Sequence, residues 1–287
     1  MPGMTTNPVR KPIRRRLRAY RHRRRDLRRI RTALTSPQPI VLVHQMGKVG
    51  SRSVLFVLSD MGEFSVFHTH WCNEQNLAHR ARIVDESRRI SNRYGDRDHF
   101  GQLFHEQTRD LDRPIKVVSM FRDPVARNIS SYFQHLDEIW GVRKAHLAIS
   151  TDELIRGFFE VFEHDEPLDW FDTEIRSIHG IDVFDHPFDT EARHATIESG
   201  RCSLLLMRVD LPDATKRSVL SEFLGKAVPE IPRANTAAAK SYSDAYRAFK
   251  DSLVVPESYL DRFYDSRLVR HFLSPDERAK LRAHWLA

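Results

Sequence analysis

Only two cysteines, Cys72 and Cys202, occur in 287 residues. Two thiols cannot build a disulfide framework, which points to a reducing compartment. No run of 18 apolar residues occurs, and no apolar stretch of a signal peptide follows the basic N-terminus. The expectation is a soluble, cytoplasmic chain, at most peripheral at the inner membrane. Long Gly/Ser/Pro-rich linkers are also lacking. With 40% hydrophobic residues, one large α/β domain with appendages is favoured over two small ones. Finally, nothing matches GxxxxGK[ST], the loop with which most nucleotide-phosphate sites begin.

What is abundant is arginine, and it is unevenly placed. Residues 10–31 hold 13 Lys/Arg and one Asp, or +12, whereas the rest of the chain has 33 basic and 38 acidic residues, or −5. The sequence pI of 9.6 therefore belongs to an N-terminal arm. Within it Ile13, Leu17, Tyr20, Leu27, Ile30 and Leu34 recur near one helical face, with arginines on the others. Such a segment is either a solvated tail or a basic amphipathic helix for an anionic membrane or acidic partner. Nucleic acid ranks lower, because only Tyr20 is available to stack on a base.

Beyond the arm the chain alternates strands and helices. Apolar runs at 39–47, 64–70, 114–123 and 202–211 read as strands. Helices are expected from Ser51 or Arg52 to about Met61, from Pro124 to about Glu138, over 151–163 with Thr151 as cap, and over 213–225. Residues 73–109 read as polar and helical, 165–190 as irregular, and the tail from Ser241 as two or three helices, with an N-cap signature at Ser274. Alternating strands and helices predict a parallel sheet with right-handed crossovers, and ligands in such sheets bind beyond the carboxyl ends of the strands. Three of those ends deliver GKVGSRS (47–53), HTHWC (68–72) and RDPVARNISSY (122–132).

The first of these is built like an anion cradle. Gly50 lets the backbone approach a ligand, and the N–H groups of 49–53 sit where a helix begins. Lys48 adds a charge; Ser51 and Ser53 add hydroxyls. No magnesium-binding acid follows the third strand, where Arg122 stands instead. Ser130 lies two helical turns beyond Arg122, so both can reach one phosphate at that junction. Arg127, between them, either joins or faces solvent.

KVGSRS resembles the 5′-phosphosulfate loop of sulfotransferases that use 3′-phosphoadenosine 5′-phosphosulfate (PAPS), and FRDPVARNISSYF resembles their 3′-phosphate motif. LLLMRVDL resembles a later strand of the superfamily, with Val209 and Asp210 in place of its Tyr-Glu pair. HQMGKVGS, the 170–189 segment and the C-terminal tail are most similar to bacterial sulfotransferase-like proteins of capsular polysaccharide synthesis. The resemblance spans about residues 38–287, with 1–37 left as the arm. It implies an α/β, P-loop-NTPase-like three-layer sandwich with a central parallel sheet, a basic N-terminal helix and a helical C-terminal tail. It implies sulfuryl transfer from PAPS, without metal, to a hydroxyl of a carbohydrate or glycolipid, releasing PAP. Lys48, Val49, Gly50, Ser51, Arg52 and Ser53 would hold the 5′-phosphosulfate, with Lys48 also stabilising the leaving oxygen. Arg122 and Ser130 would hold the 3′-phosphate, and Asn235 and Lys240 fall where relatives place a basic loop.

The acceptor hydroxyl needs a base. His68 and His70 share a strand face near the crevice; an acid from 169–174 is the other choice. His68, His70 and Cys72 also alternate as three zinc ligands would, but no fourth stands at matching spacing. Trp170 and Phe171, beside Asp169, Asp172 and Glu174, suit either a sugar platform or a core plug. Tyr242, Tyr246 and Phe249 read as helix core. Two rival functions stay open: a non-catalytic nucleotide-binding assembly factor, and a nucleotide-dependent kinase.

Overall fold

The computed structural model describes residues 10–78, 100–231 and 241–286, with residues 10–16 traced by backbone alone. Asn235, Lys240 and most of the expected 73–109 helix lie outside the described residues. Among the described residues five strands form one sheet: β1 (Ile40–His44), β2 (Ser65–Thr69), β3 (Ile115–Phe121), β4 (His194–Ser199) and β5 (Cys202–Arg208), in the order β2-β1-β3-β5-β4. The first three pairings across this order are parallel. With helices packed against it, the sheet makes an α/β architecture compatible with a three-layer sandwich.

The expectation of a wholly parallel sheet needs correcting at one edge, where β4 runs antiparallel to β5. Gly200 and Arg201 join the two as a tight hairpin. Only Ile197 of β4 is buried, so the strand carries almost no alternation for a sequence reading to find. By contrast every residue of β1 is buried, as a central parallel strand requires. Register aligns the carboxyl ends: His44 pairs with Thr69, and Phe121 with Arg208. The segments that follow therefore emerge on one rim.

The helices that matter for that rim are α1 (Arg10–Thr35), α2 (Ser51–Asp60), α3 (Phe100–Thr108), α4 (Pro124–Gln134) and α5 (Thr151–Glu160). The cap of α5 is Ser150, not Thr151, because Ser150 and Glu153 close a reciprocal capping box. Residues 165–190, expected to be irregular, form α6 (Glu166–Trp170), a π-helix over Phe171–Arg176 and short turns. After α7 (Asp213–Leu224) the tail holds four helices rather than two or three: α8 (Ser243–Ser252), α9 (Glu257–Tyr264), α10 (Arg267–Phe272) and α11 (Pro275–Leu286). Tyr264 and Trp285 both donate to Asp123, the N-cap of α4, at 2.7 and 3.2 Å. The tail thus holds down the helix that follows β3.

Helix α1 joins the body by its C-terminal third. Ile30 and Ala33 are buried in the core. Arg29 stacks over Phe67 at 4.8 Å and donates to the Val66 carbonyl. Arg113 donates to the carbonyls of Leu34, Ser36 and Gln38 at 3.1, 2.7 and 2.9 Å, satisfying acceptors that the helix end leaves open. Upstream, Leu17 and Tyr20 stay exposed. One apolar stripe is therefore seated at one end and uncovered at the other.

Gly101 is where α3 meets the turn after β2. A Cβ there would stand 1.8 Å from the Trp71 carbonyl oxygen and 2.4 Å from Thr69 Oγ1. Backbone cannot yield as a side chain does, so Gly101→Ala should lower stability by about 2–3 kcal/mol. Urea unfolding measures it; a change below about 0.5 kcal/mol would contradict so close an approach.

Candidate functional site

The loop between β1 and α2 is held from below by two arginines. Arg127 donates to the Gly47 carbonyl at 3.2 Å, and Arg122 to the Lys48 carbonyl at 2.8 Å. The described residues contain no cis peptide, and in a trans peptide C=O and N–H point in opposite directions. With the carbonyls of 47 and 48 turned to the arginines, the N–H groups of 48 and 49 face away from them. Lys48 and Gly50 both adopt left-handed backbone, with φ of 72° and 84°. For lysine this costs roughly 1 kcal/mol, a strain more usual at functional sites than elsewhere. Gly50 is needed twice over, since a Cβ would also meet Val209 Cγ2 at 3.0 Å.

Gly50 is the N-cap of α2 and offers no side-chain cap, so the first N–H groups of that helix receive no capping side chain. Around them Ser51 is buried, Ser53 half-buried and Arg52 exposed, while Val49 lies in the core and anchors the loop. Lys48 Nζ donates to Gln134 Oε1 at 3.4 Å. Gln134 lies four residues after the half-buried Ser130, so both occupy the same face of α4. The loop, the end of β3 and one face of α4 thus bring Lys48, Arg122 and Ser130 into one neighbourhood.

Arg127 takes neither role expected of it. It is buried, pairs with Glu166 and donates to Asn128 Oδ1 at 3.1 Å. It is a support under the loop, not a ligand group. Burial holds the Arg122 guanidinium below its ordinary value, while a hydrogen bond and charge interaction with Tyr246 act in the opposite sense. Tyr246, read from sequence as helix core, packs half-buried against the core and also reaches Arg122, while Phe249 is fully buried. At the end of β5, Asp210 pairs with Arg208, which also binds Glu277 at 2.7 Å. Asp210 is thereby committed to an internal ion pair.

His68 and His70 stand with ring centroids 4.6 Å apart. His70 Nδ1 is 2.7 Å from the Gln45 carbonyl, which fixes that nitrogen as the N–H and leaves Nε2 as the basic atom. His68 is different: burial, then His70, His44 and Arg52, lower it to about 3. So weak a base is poorly matched to proton abstraction near neutral pH. The acidic candidates of 169–174 divide as well. Trp170, Phe171 and Glu174 are buried, which favours the core plug over a sugar platform. Asp172 is paired with Arg267 and Arg176.

Glu174, named from sequence only as one of the acids of 169–174, has a set of partners that the sequence did not disclose. Its carboxylate accepts from the backbone N–H of Cys72 at 2.7 Å and of Asn73 at 3.2 Å, and from Asn76 Nδ2 at 2.6 Å. Trp170 Nε1 donates to the His70 carbonyl at 3.1 Å. The π-helix and the residue before it therefore clamp the turn that carries His70. The one available signal was an acid beside aromatics, which the sequence left open between a sugar platform, a base and a core plug.

His68 also sets a pH dependence. Its unfolded value is about 6.5 and its folded value about 3, so between those pH values the unfolded chain binds more protons. Stability should fall as pH drops through that window. Buried His164 and half-buried His179 and His271 are shifted in the same direction and add to the slope. Urea unfolding between pH 7.5 and 4.5 should show a loss approaching about 1.4 kcal/mol per pH unit per histidine, with a shallower slope in His68→Gln. A flat profile would mean that His68 is solvated.

Residues 146–274, a little under half of the chain, match the family model NKWYS, described as "Putative capsular polysaccharide synthesis protein". The matched stretch includes the π-helix, β5 and α8, and stops short of the 45–50 loop, Arg122 and Ser130. No curated protein and no solved structure matches the chain. The similarity links this part of the chain to capsular polysaccharide synthesis.

Proposed function

We propose that the chain is a PAPS-dependent sulfotransferase with a P-loop-like anion site, acting on a hydroxyl of a carbohydrate or glycolipid of capsular type. The observation that carries the reading is the tether between Arg122 and the Lys48 carbonyl, 2.8 Å long. It joins the two segments that the proposal assigns to the two ends of one nucleotide. The residues fit a doubly anionic ligand: a helix start without a side-chain cap, a strained lysine, and an arginine with donors to spare.

In this reading the N–H groups of the loop, with Ser51, Arg52 and Ser53, hold the 5′-phosphosulfate. Lys48 places its charge at the bridging oxygen where negative charge grows as the sulfur–oxygen bond breaks. His70 Nε2 takes the proton of the acceptor hydroxyl while that oxygen bonds to sulfur, and PAP leaves. Arg122 and Ser130 hold the 3′-phosphate, which separates PAPS from ATP. Sulfuryl transfer of this kind draws mainly on positioning and fixed charge. The similarity of residues 146–274 to the capsular polysaccharide family supports the choice of acceptor class.

Calorimetric titration with PAP, beside ADP and ATP with magnesium, tests the nucleotide assignment. PAP should bind best, and Arg122→Ala should weaken it about 30-fold or more, the worth of a charged hydrogen-bond pair near 2 kcal/mol. Ser130→Ala should cost PAP affinity and leave ADP unchanged. Binding of ATP with magnesium but not PAP would favour the kinase reading. Tight PAP binding without transfer of labelled sulfate to any glycan in a broad panel would favour the assembly factor.

The proposal also gives the exposed part of α1 an anionic membrane surface, on which Leu17 and Tyr20 would insert between arginines. Deleting residues 1–22, which spares the buried Ile30 and Ala33, should abolish co-sedimentation with anionic vesicles. Unchanged sedimentation would remove the membrane role.

A further inference from the structure

The sequence places His68, His70 and Cys72 on one face as a candidate metal trio. The fold separates them. Strand β2 ends at Thr69, so the alternation stops before Cys72. Cys72 turns inward, to a different pair of side chains: His44 at the end of β1 and Glu174 in the π-helix. All three are buried, and their donor atoms lie within 4.8 Å of one another.

We propose that His44 Nε2, Cys72 Sγ and a Glu174 carboxylate oxygen form a buried zinc site. Four observations carry it. First, His44 is fully buried, yet its Nε2 has no hydrogen-bond partner among the described residues. It stands 3.2 Å from Glu174 Oε2, outside hydrogen-bond geometry. Two donors bound to one tetrahedral zinc at about 2.0–2.1 Å stand roughly 3.3 Å apart, so this pair already has the spacing. Second, the outer contacts are those that ligands need. His44 Nδ1 meets His179 Nε2 at 2.9 Å, and Glu174 is oriented by Cys72 N, Asn73 N and Asn76 Nδ2. Third, the charges close. One thiolate, one carboxylate and a neutral imidazole around a divalent cation leave no net charge in the core, where an uncompensated carboxylate is costly. Fourth, thiolate with imidazole selects zinc over harder cations such as magnesium or calcium.

A tetrahedral N···S separation is roughly 3.6 Å, so loading needs at most about an ångström of side-chain movement by Cys72. Loading also exchanges the Cys72 thiol proton, released to solvent, for a sulfur–metal bond. Three protein donors leave the fourth tetrahedral position to a water, and the bound ion would pin the ends of β1 and β2 to the π-helix. It stands apart from the nucleotide reading, and neither depends on the other.

The test is metal analysis of the full chain purified with zinc supplementation, followed by replacement with Co²⁺. One equivalent of zinc per chain is expected after dialysis. A thiolate-to-cobalt charge-transfer band should appear, remain in Cys202→Ser and vanish in Cys72→Ser. Chelation should lower the Tm of the wild-type chain by at least about 5 °C, a readout that needs no variant to fold. Glu174→Gln should weaken zinc retention at least tenfold. A metal-free chain with no cobalt band would overturn the site, as would a band that follows Cys202. Glu174 would then serve only as an acceptor for the N–H groups of Cys72, Asn73 and Asn76. PAP titration on the same samples keeps the two readings separable.

Discussion

Everything at the rim depends on how the carbonyls of Gly47 and Lys48 are held. Two arginines from the segment after β3 reach under the loop and take them. That single arrangement fixes which way the two peptides face, and it turns the N–H groups of 48 and 49 away from the arginines, just ahead of α2. It also accounts for the pairing of Arg127 with Glu166. A buried guanidinium without a counter-charge would destabilise the fold by several kcal/mol, so the support under the loop needs an acid beside it. The left-handed lysine follows as well: the chain accepts a local cost there because the surrounding contacts over-determine the loop.

A second clamp works from the other side of the sheet order. Glu174 binds the backbone after β2, and Trp170 binds the His70 carbonyl. The π-helix gives this segment its reach. One extra residue in a helical turn re-aims the side chains that follow, and such insertions gather at functional sites. The two clamps converge on Gln45, whose carbonyl receives His70 and whose neighbours lead directly into the Lys48 loop. The position of His70 relative to the loop is therefore set by the core and by the segment that matches the capsular family model.

These contacts explain what the sequence could and could not disclose. The buried strands Ile40–His44, Ile115–Phe121 and Cys202–Arg208 were legible because continuous apolar runs have no other soluble home. The loop was legible because glycine, lysine and serines at a strand-to-helix junction have few alternative uses. Arg127, Glu174 and His44 were not. Their partners lie 80, 102 and 135 residues away, and no local period encodes a buried polar pair across such distances. Edge strand β4 failed for the opposite reason: with one buried residue it follows no pattern at all. The alternation of His68, His70 and Cys72 was real in sequence but outran its strand, so a period-2 argument was extended past the residue where it stopped applying.

The charge distribution poses one last problem. Outside the arm the chain is net acidic, by 33 basic to 38 acidic residues, yet the proposed ligand carries several negative charges. Net charge decides little at short range. Screening shortens the reach of exposed carboxylates to about 8–10 Å in physiological salt. In the proposed site, Lys48, Arg122 and the uncapped helix start would act at hydrogen-bond distance, where partial burial strengthens them. Many of the acids are in any case neutralised internally: Glu166 by Arg127, Asp210 and Glu277 by Arg208, Asp172 by Arg267. The arm can then be strongly basic without serving the nucleotide, since its exposed apolar residues Leu17 and Tyr20 lie upstream of the part that packs on the body. A basic arm and a basic crevice are two separate devices, and a whole-chain pI of 9.6 describes neither.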